Sequence, residues 1–141
     1  MTRIEFFFNV DDKLQKIAEI SEKAIVKNVK LMLLVQSADL ATQVKEYLWS
    51  KDLAFLPNHA PEDVLASETP IVVDWEGKHF LHDEVLINLQ HPHPIFFSRF
   101  RKLIEIVGID EADKAQARIR YKFYRDRGYE IRSYDANTKE I

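Results

Sequence analysis

The chain has 141 residues, a formal charge of −3, 46% hydrophobic and 30% charged residues, and no cysteine. That is enough sequence for one domain with a core that needs no metal or disulfide; the missing cysteines exclude disulfides, thiolate zinc sites and a cysteine nucleophile, and fit a reducing compartment. Its only glycines, Gly77, Gly108 and Gly128, lie too far apart to write G-x-G-x-x-G, G-x-x-x-x-G-K-S/T or G-x-S-x-G, which argues against nucleotide or serine-hydrolase chemistry by the common motifs.

In chain order, strand-like and helix-like segments alternate. Arg3 to Val10 holds the aromatic run Phe6-Phe7-Phe8 and reads as a strand. Asp11 or Asp12 then caps a helix with Leu14, Ile17, Ala18 and Ile25 at helical spacing. Val29 to Val35 (VKLMLLV) is apolar throughout, as a strand covered on both faces should be. Ser37 or Asp39 opens a second helix with a stripe of Leu40, Val44, Tyr47 and Leu48. Residues 54–56 are a short strand candidate ended by Pro57-Asn58, and a polar segment leads to Pro70.

Pro70 to Asp74 and Val85 to Leu89 read as two more strands, with so little chain between them that a hairpin-like loop is expected. Pro94 to Phe100 predicts a short helix. Leu103 to Val107 (LIEIV) fits either a helix continued from Phe96 or a buried strand; its β-branched content and the following Gly108 favour the strand. Asp110 opens a last helix that stops at Gly128, and Tyr129 to Tyr134 alternates as an edge strand, with 136–141 expected to fray. This order predicts one domain over 1–141, a three-layer α/β/α sandwich on a mainly parallel sheet that could include a mixed edge. Ligands of such sheets bind outside the carboxyl ends of the strands, near the segment after Val107. No apolar run approaches the ~20 residues of a membrane helix, and Glu5 breaks any signal-peptide layout, so a cytoplasmic protein is expected.

The last helix is the sharpest feature. From Lys114 to Arg127 it has six basic residues and one acid, in a chain that is acidic overall. At ~100° per residue, Lys114, Arg118, Tyr121, Lys122 and Arg125 share one stripe, while Ile119, Phe123 and Tyr124 are left to face the core. A solvated basic helix end would account for part of this, yet like charges at i,i+4 repel by a few tenths of a kcal/mol. An anion-binding face, for nucleic-acid phosphate or an acidic peptide, accounts for it equally well. His91-Pro92-His93-Pro94, with His79 and His82 nearby, could point two imidazoles to one side, as a metal needs, but two prolines fit a rigid surface loop better. Trp49 lies off the stripe of its helix, beside the Phe55-Leu56-Pro57 turn, as an interface anchor or a covered core edge. Paired acids such as Glu62-Asp63 and Asp110-Glu111 fit helix N-termini, and no catalytic constellation emerges.

Together YLW, FLPN, DEVLINL, FFSRFRKLIEIVG and above all DKAQARIRYKFYRDRGYE resemble the chi subunit of bacterial DNA polymerase III holoenzyme, from Phe6 to about Tyr134. The resemblance implies a Rossmann-like sandwich without a phosphate loop. It implies an accessory clamp-loader subunit with no catalytic activity, metal or cofactor of its own. It also implies two partners: the psi subunit, and the acidic tail of single-stranded DNA-binding protein, which ends in a phenylalanine carboxylate. Nucleic acid would be met only indirectly. By the same resemblance Lys114, Arg118, Tyr121, Lys122 and Val107 would hold the tail, with Arg125 added because it shares the stripe, and Trp49, Phe55 and Pro57 would meet psi. Direct single-strand binding by the basic helix, or a metal-dependent hydrolase using His91 and His93, are the competing readings.

Overall fold

The computed structural model describes residues 1–51, 71–77 and 82–136. The elements run β1 (Arg3–Val10), α1 (Lys13–Val26), β2 (Leu31–Leu34), α2 (Ala38–Ser50), β3 (Ile71–Asp74), β4 (Val85–Asn88), a 3₁₀ turn (Phe97–Arg99), β5 (Lys102–Gly108), α3 (Glu111–Asp126) and β6 (Ile131–Asp135). The strand candidate at 54–56 and the polar segment after it lie outside the described residues.

Local chemistry sets the helix ends. Asp12, Ser37 and Asp110 are the N-caps, their side chains accepting from the N–H groups of Gln15, Leu40 and Asp113. α1 and α3 end in the same six-to-one pattern: Val29 N–H donates to Ala24 C=O, and Tyr129 N–H to Tyr124 C=O. The residue that turns left-handed is Asn28 (φ 58°) in the first case and Gly128 (φ 81°) in the second.

All six strands are parallel, in the order β3-β2-β4-β5-β1-β6. The mixed edge is therefore not used, and the hairpin-like loop expected between β3 and β4 is corrected: the two strands flank β2, each parallel to it. A hairpin would have left Ile71–Asp74 and Val85–Asn88 with a solvated face, whereas all eight residues are buried. Leu103 to Val107 is strand, at the centre of β5. The helix expected over Pro94 to Phe100 shrinks to the single 3₁₀ turn, with Pro94 C=O accepting from Phe97 N–H.

Strand alternation splits the core in two. Leu31, Leu33, Val85, Ile87, Ile104, Ile106 and Phe7 meet Ile17, Ala18 and Ala24 of α1 and Val44 and Leu48 of α2. Met32, Leu34, Leu86, Leu103, Val107, Ile4 and Phe6 face the other way, against Phe97, Phe100 and α3 residues Ala117 and Tyr124. The sandwich has its three layers, and α3 lies across the second face.

Candidate functional site: a cation-rimmed groove beside the last helix

α3 is anchored by a polar cluster in its own interface. Glu105 of β5 is fully buried on the α3 face. Its carboxylate accepts from Arg120 Nε at 2.9 Å, Tyr124 Oη at 2.6 Å and Asn88 Nδ2 at 3.1 Å. Arg120 also donates to the carbonyl of His91 at 2.8 Å. Burial pushes the Glu105 carboxyl upward while these partners pull against it, and burial followed by the Glu105 charge raises the Tyr124 phenol. Such a set fixes a helix rotationally, because every donor must find its acceptor in a dry interface.

That rotation decides which side chains face outward. Ala117, Arg120 and Tyr124 point down, while Lys114, Arg118 and Tyr121 turn toward β1 and β6. Ile119, expected inward, is 65% exposed. The buried Ala117–Arg120–Tyr124 line leaves it on the far side, a consequence of a charged residue taking a core position.

Between α3 and the β1/β6 surface runs an open groove of about 330 Å³, at the small end of ligand-site sizes (~300–1,000 Å³). Phe6, Phe8, Val107 and Ala117 give it an apolar floor, Lys114 and Arg118 a cationic rim, and Asn9 and Ser133 a polar end. Tyr121 leans on Phe6 with ring centroids 5.3 Å apart and stays 37% exposed. Lys114 has a partner in Glu111 at 3.5 Å; among the described residues neither Arg118 nor Lys122 pairs with a carboxylate. The arrangement suits a ligand with one apolar side chain beside negative charge.

Of the residues singled out from sequence, Val107, Lys114, Arg118 and Tyr121 come together in this groove. Lys122 and Arg125 are exposed on the same helix but are not part of its lining, and Arg125 pairs with Asp126 at 3.3 Å. Phe6, Phe8, Asn9 and Ser133 were not foreseen. They come from the first and last strands in chain order, and only the β1–β6 pairing joins them.

The crevice over the carboxyl ends of β1 and β5 is bridged by the protein itself. Lys13 and Asp113 are paired at 2.8 Å, and Asp113 accepts the Gly108 N–H at 2.6 Å. A Cβ at Gly108 would stand 3.2 Å from that carboxylate, so a side chain there would press on the pair. Burial pushes Asp113 upward, but the hydrogen bonds from Lys13 and Gly108 outweigh it and hold the carboxyl below the usual aspartate range.

The described histidines do not converge. His91 faces Gln36 at 3.3 Å. His93 stacks on Phe123 at 3.6 Å, where burial and then Arg127 lower its pKa. His82 accepts from Glu84 N–H at 3.0 Å, and His79 lies outside the described residues. Among the described residues no group of three His, Asp or Glu side chains is placed to hold a metal ion. Trp49 is 48% exposed on α2, as its off-stripe position predicts; Phe55 and Pro57 lie outside the described residues. A second half-exposed indole, Trp75, sits on a turn whose three N–H groups all reach the Asp74 carboxylate. No helix among the described residues is long and apolar enough to cross a membrane.

Fold and groove define a class: an all-parallel α/β sandwich that carries a cation-rimmed apolar groove in place of a glycine-rich phosphate loop. Comparison with known proteins gives the class a family. A family model described as DNA polymerase III chi subunit, HolC, matches residues 1–132. The chi subunit of Haemophilus influenzae is 36% identical over 104 residues, 72% of either chain. That of Pseudomonas aeruginosa is 27% identical over 139 residues, covering 95% of this chain and 96% of its own. That of Escherichia coli is 23% identical over 119 residues, covering 83% and 81%. The chain belongs to the DNA polymerase III chi subunit family, which places it among the proteins of DNA replication.

Proposed function

We propose that this protein is a noncatalytic adaptor of the polymerase III clamp-loader complex. One surface holds the acidic C-terminal tail of single-stranded DNA-binding protein, the other meets psi, and the work is done in the cytoplasm. The observation that carries the reading is the groove beside α3. Lys114 and Arg118 stand over an apolar floor built from Phe6, Phe8, Val107 and Ala117. A terminal phenylalanine fits that floor, and its carboxylate and neighbouring acids fit the rim through charge-assisted hydrogen bonds. Trp49, exposed on α2, supports a second interface away from α3.

Direct binding of single strands draws on the same cations, but the one aromatic ring among them, Tyr121, has much of its surface against Phe6, where base stacking needs an open face. The test is a fluorescence-anisotropy titration with a labelled acidic peptide ending in a free phenylalanine carboxylate. The same peptide without the phenylalanine and labelled oligo-dT run alongside. Saturable binding that requires the phenylalanine and weakens with salt is expected. Binding of oligo-dT with none of the peptide would move the function to nucleic acid.

A further inference from the structure

The groove opens at one end onto the β6 edge of the sheet. β6 is the last strand in the order and is paired only with β1. Ile4 N–H donates to Glu130 C=O at 3.1 Å and Ala136 N–H to Phe8 C=O at 2.9 Å. The even-numbered residues of this strand therefore address β1, and the N–H and C=O groups of Ile131 and Ser133 point away from it. Among the described residues nothing pairs with those groups. An open edge of this kind is a template for another strand.

We propose that the tail segment upstream of the terminal phenylalanine pairs with this edge as a seventh strand, parallel to β6; this rests on the groove being the tail site. Three observations converge. Ser133, whose backbone lies on the open edge, also lines the groove, so floor and edge are continuous across a small side chain. The direction follows from α3, which returns from the end of β5 to the start of β6 and so runs against it. The phenylalanine sits beside Lys114 and Arg118 in the first half of α3, so the chain leading to it comes from the start of β6 and runs the same way as β6.

The third observation is charge. Lys122 and Arg125 share the stripe of Arg118 yet lie outside the groove. Arg125 is seven residues beyond Arg118, about 10 Å along the helix, which is roughly three residues of strand. Alternate side chains of the added strand face α3, so acids at those positions reach Lys122 and Arg125. The two acids of the edge are engaged elsewhere, Glu130 with Arg132 at 3.2 Å and Asp135 with Asn9 at 3.2 Å.

The experiment compares labelled tail peptides of four and eight residues, both ending in a phenylalanine carboxylate. They are titrated against the wild type, Ser133→Ala and Ser133→Pro, with thermal melts to check the fold. Proline at 133 removes an N–H that serves no bond within the sheet, a kind of edge-strand position where it is tolerated. The longer peptide should bind at least about ten-fold tighter to the wild type and to Ser133→Ala, because main-chain pairing supplies affinity. In Ser133→Pro the ratio of long- to short-peptide affinity should fall toward one, and any loss common to both peptides, as Ser133 also lines the groove, cancels in that ratio. Methylating alternate upstream amides of the long peptide gives the same answer on the wild type should the proline variant not fold: one alternate set abolishes the advantage and the other does not. A length advantage that survives both changes overturns the added strand and leaves the groove standing. Failure of the short peptide to bind any variant removes the groove reading, and the strand with it.

Discussion

Arg118 and Arg120 are two positions apart in α3 and lie on opposite sides of it. Arg118 is exposed over the groove, and Arg120 is 4% exposed against Glu105. Replacing Arg118 with alanine should weaken the tail peptide by ~1.5–3 kcal/mol, the scale of a hydrogen bond to a charged group. Its melting temperature should not move. Replacing Arg120 with alanine should cost ~3–5 kcal/mol of stability, because it strands the Glu105 carboxylate without its cation. Denaturant titrations of the two variants read this directly, and equal stabilities would show that α3 is turned differently. Asp113 gives a pH signature. Its carboxyl is depressed in the folded chain, so the stabilisation from Lys13 and Gly108 is complete above the ordinary aspartate value of 3.8. It is lost as the pH falls through the lower native value. Unfolding free energies of the wild type and Asp113→Asn should therefore differ most near neutrality and converge in acid; a gap that stays constant to the lowest pH would contradict the pairing.

At the scale of elements, the sequence was most legible where period and caps agreed. The three described helices start at capping residues visible in the sequence, and β2, apolar at every position, is buried at every position. The hairpin between β3 and β4 was wrong because sequence proximity says nothing about which strand lies between two others. The cationic stripe of α3 was legible from spacing alone. Its partner surface was not, since Phe6, Phe8 and Ser133 meet it only through sheet order. The core position of Arg120 had a signal: Ala117, Arg120 and Tyr124 follow helical spacing, and LIEIV places one acid in an apolar strand. Charge counting hid it by treating every basic residue as surface. α2 carries its own prediction. Trp49→Ala should weaken psi binding by ~2 kcal/mol, as for a tryptophan anchor, and leave the tail peptide unaffected. A gel-filtration or calorimetric assay with purified psi reads this, and undiminished binding would move the psi surface away from α2.

The molecule as a whole holds two surfaces apart on opposite faces of one sheet. The α3 face carries the groove, and Trp49 stands on the layer that packs against the opposite face. The nucleotide crevice usual to such sheets is bridged by Lys13 and Asp113, and in the proposed function the groove beside α3 takes its place as the surface that meets a partner. The most direct test is backbone amide NMR of the full chain during titration with the phenylalanine-terminated tail peptide. The account predicts that the largest shifts fall on Phe6, Phe8, Asn9, Val107, Ser133 and the α3 residues from Lys114 to Tyr121, with α2 silent. Shifts centred on α2 or on the Lys13–Asp113 crevice, with the α3 groove unmoved, would contradict it.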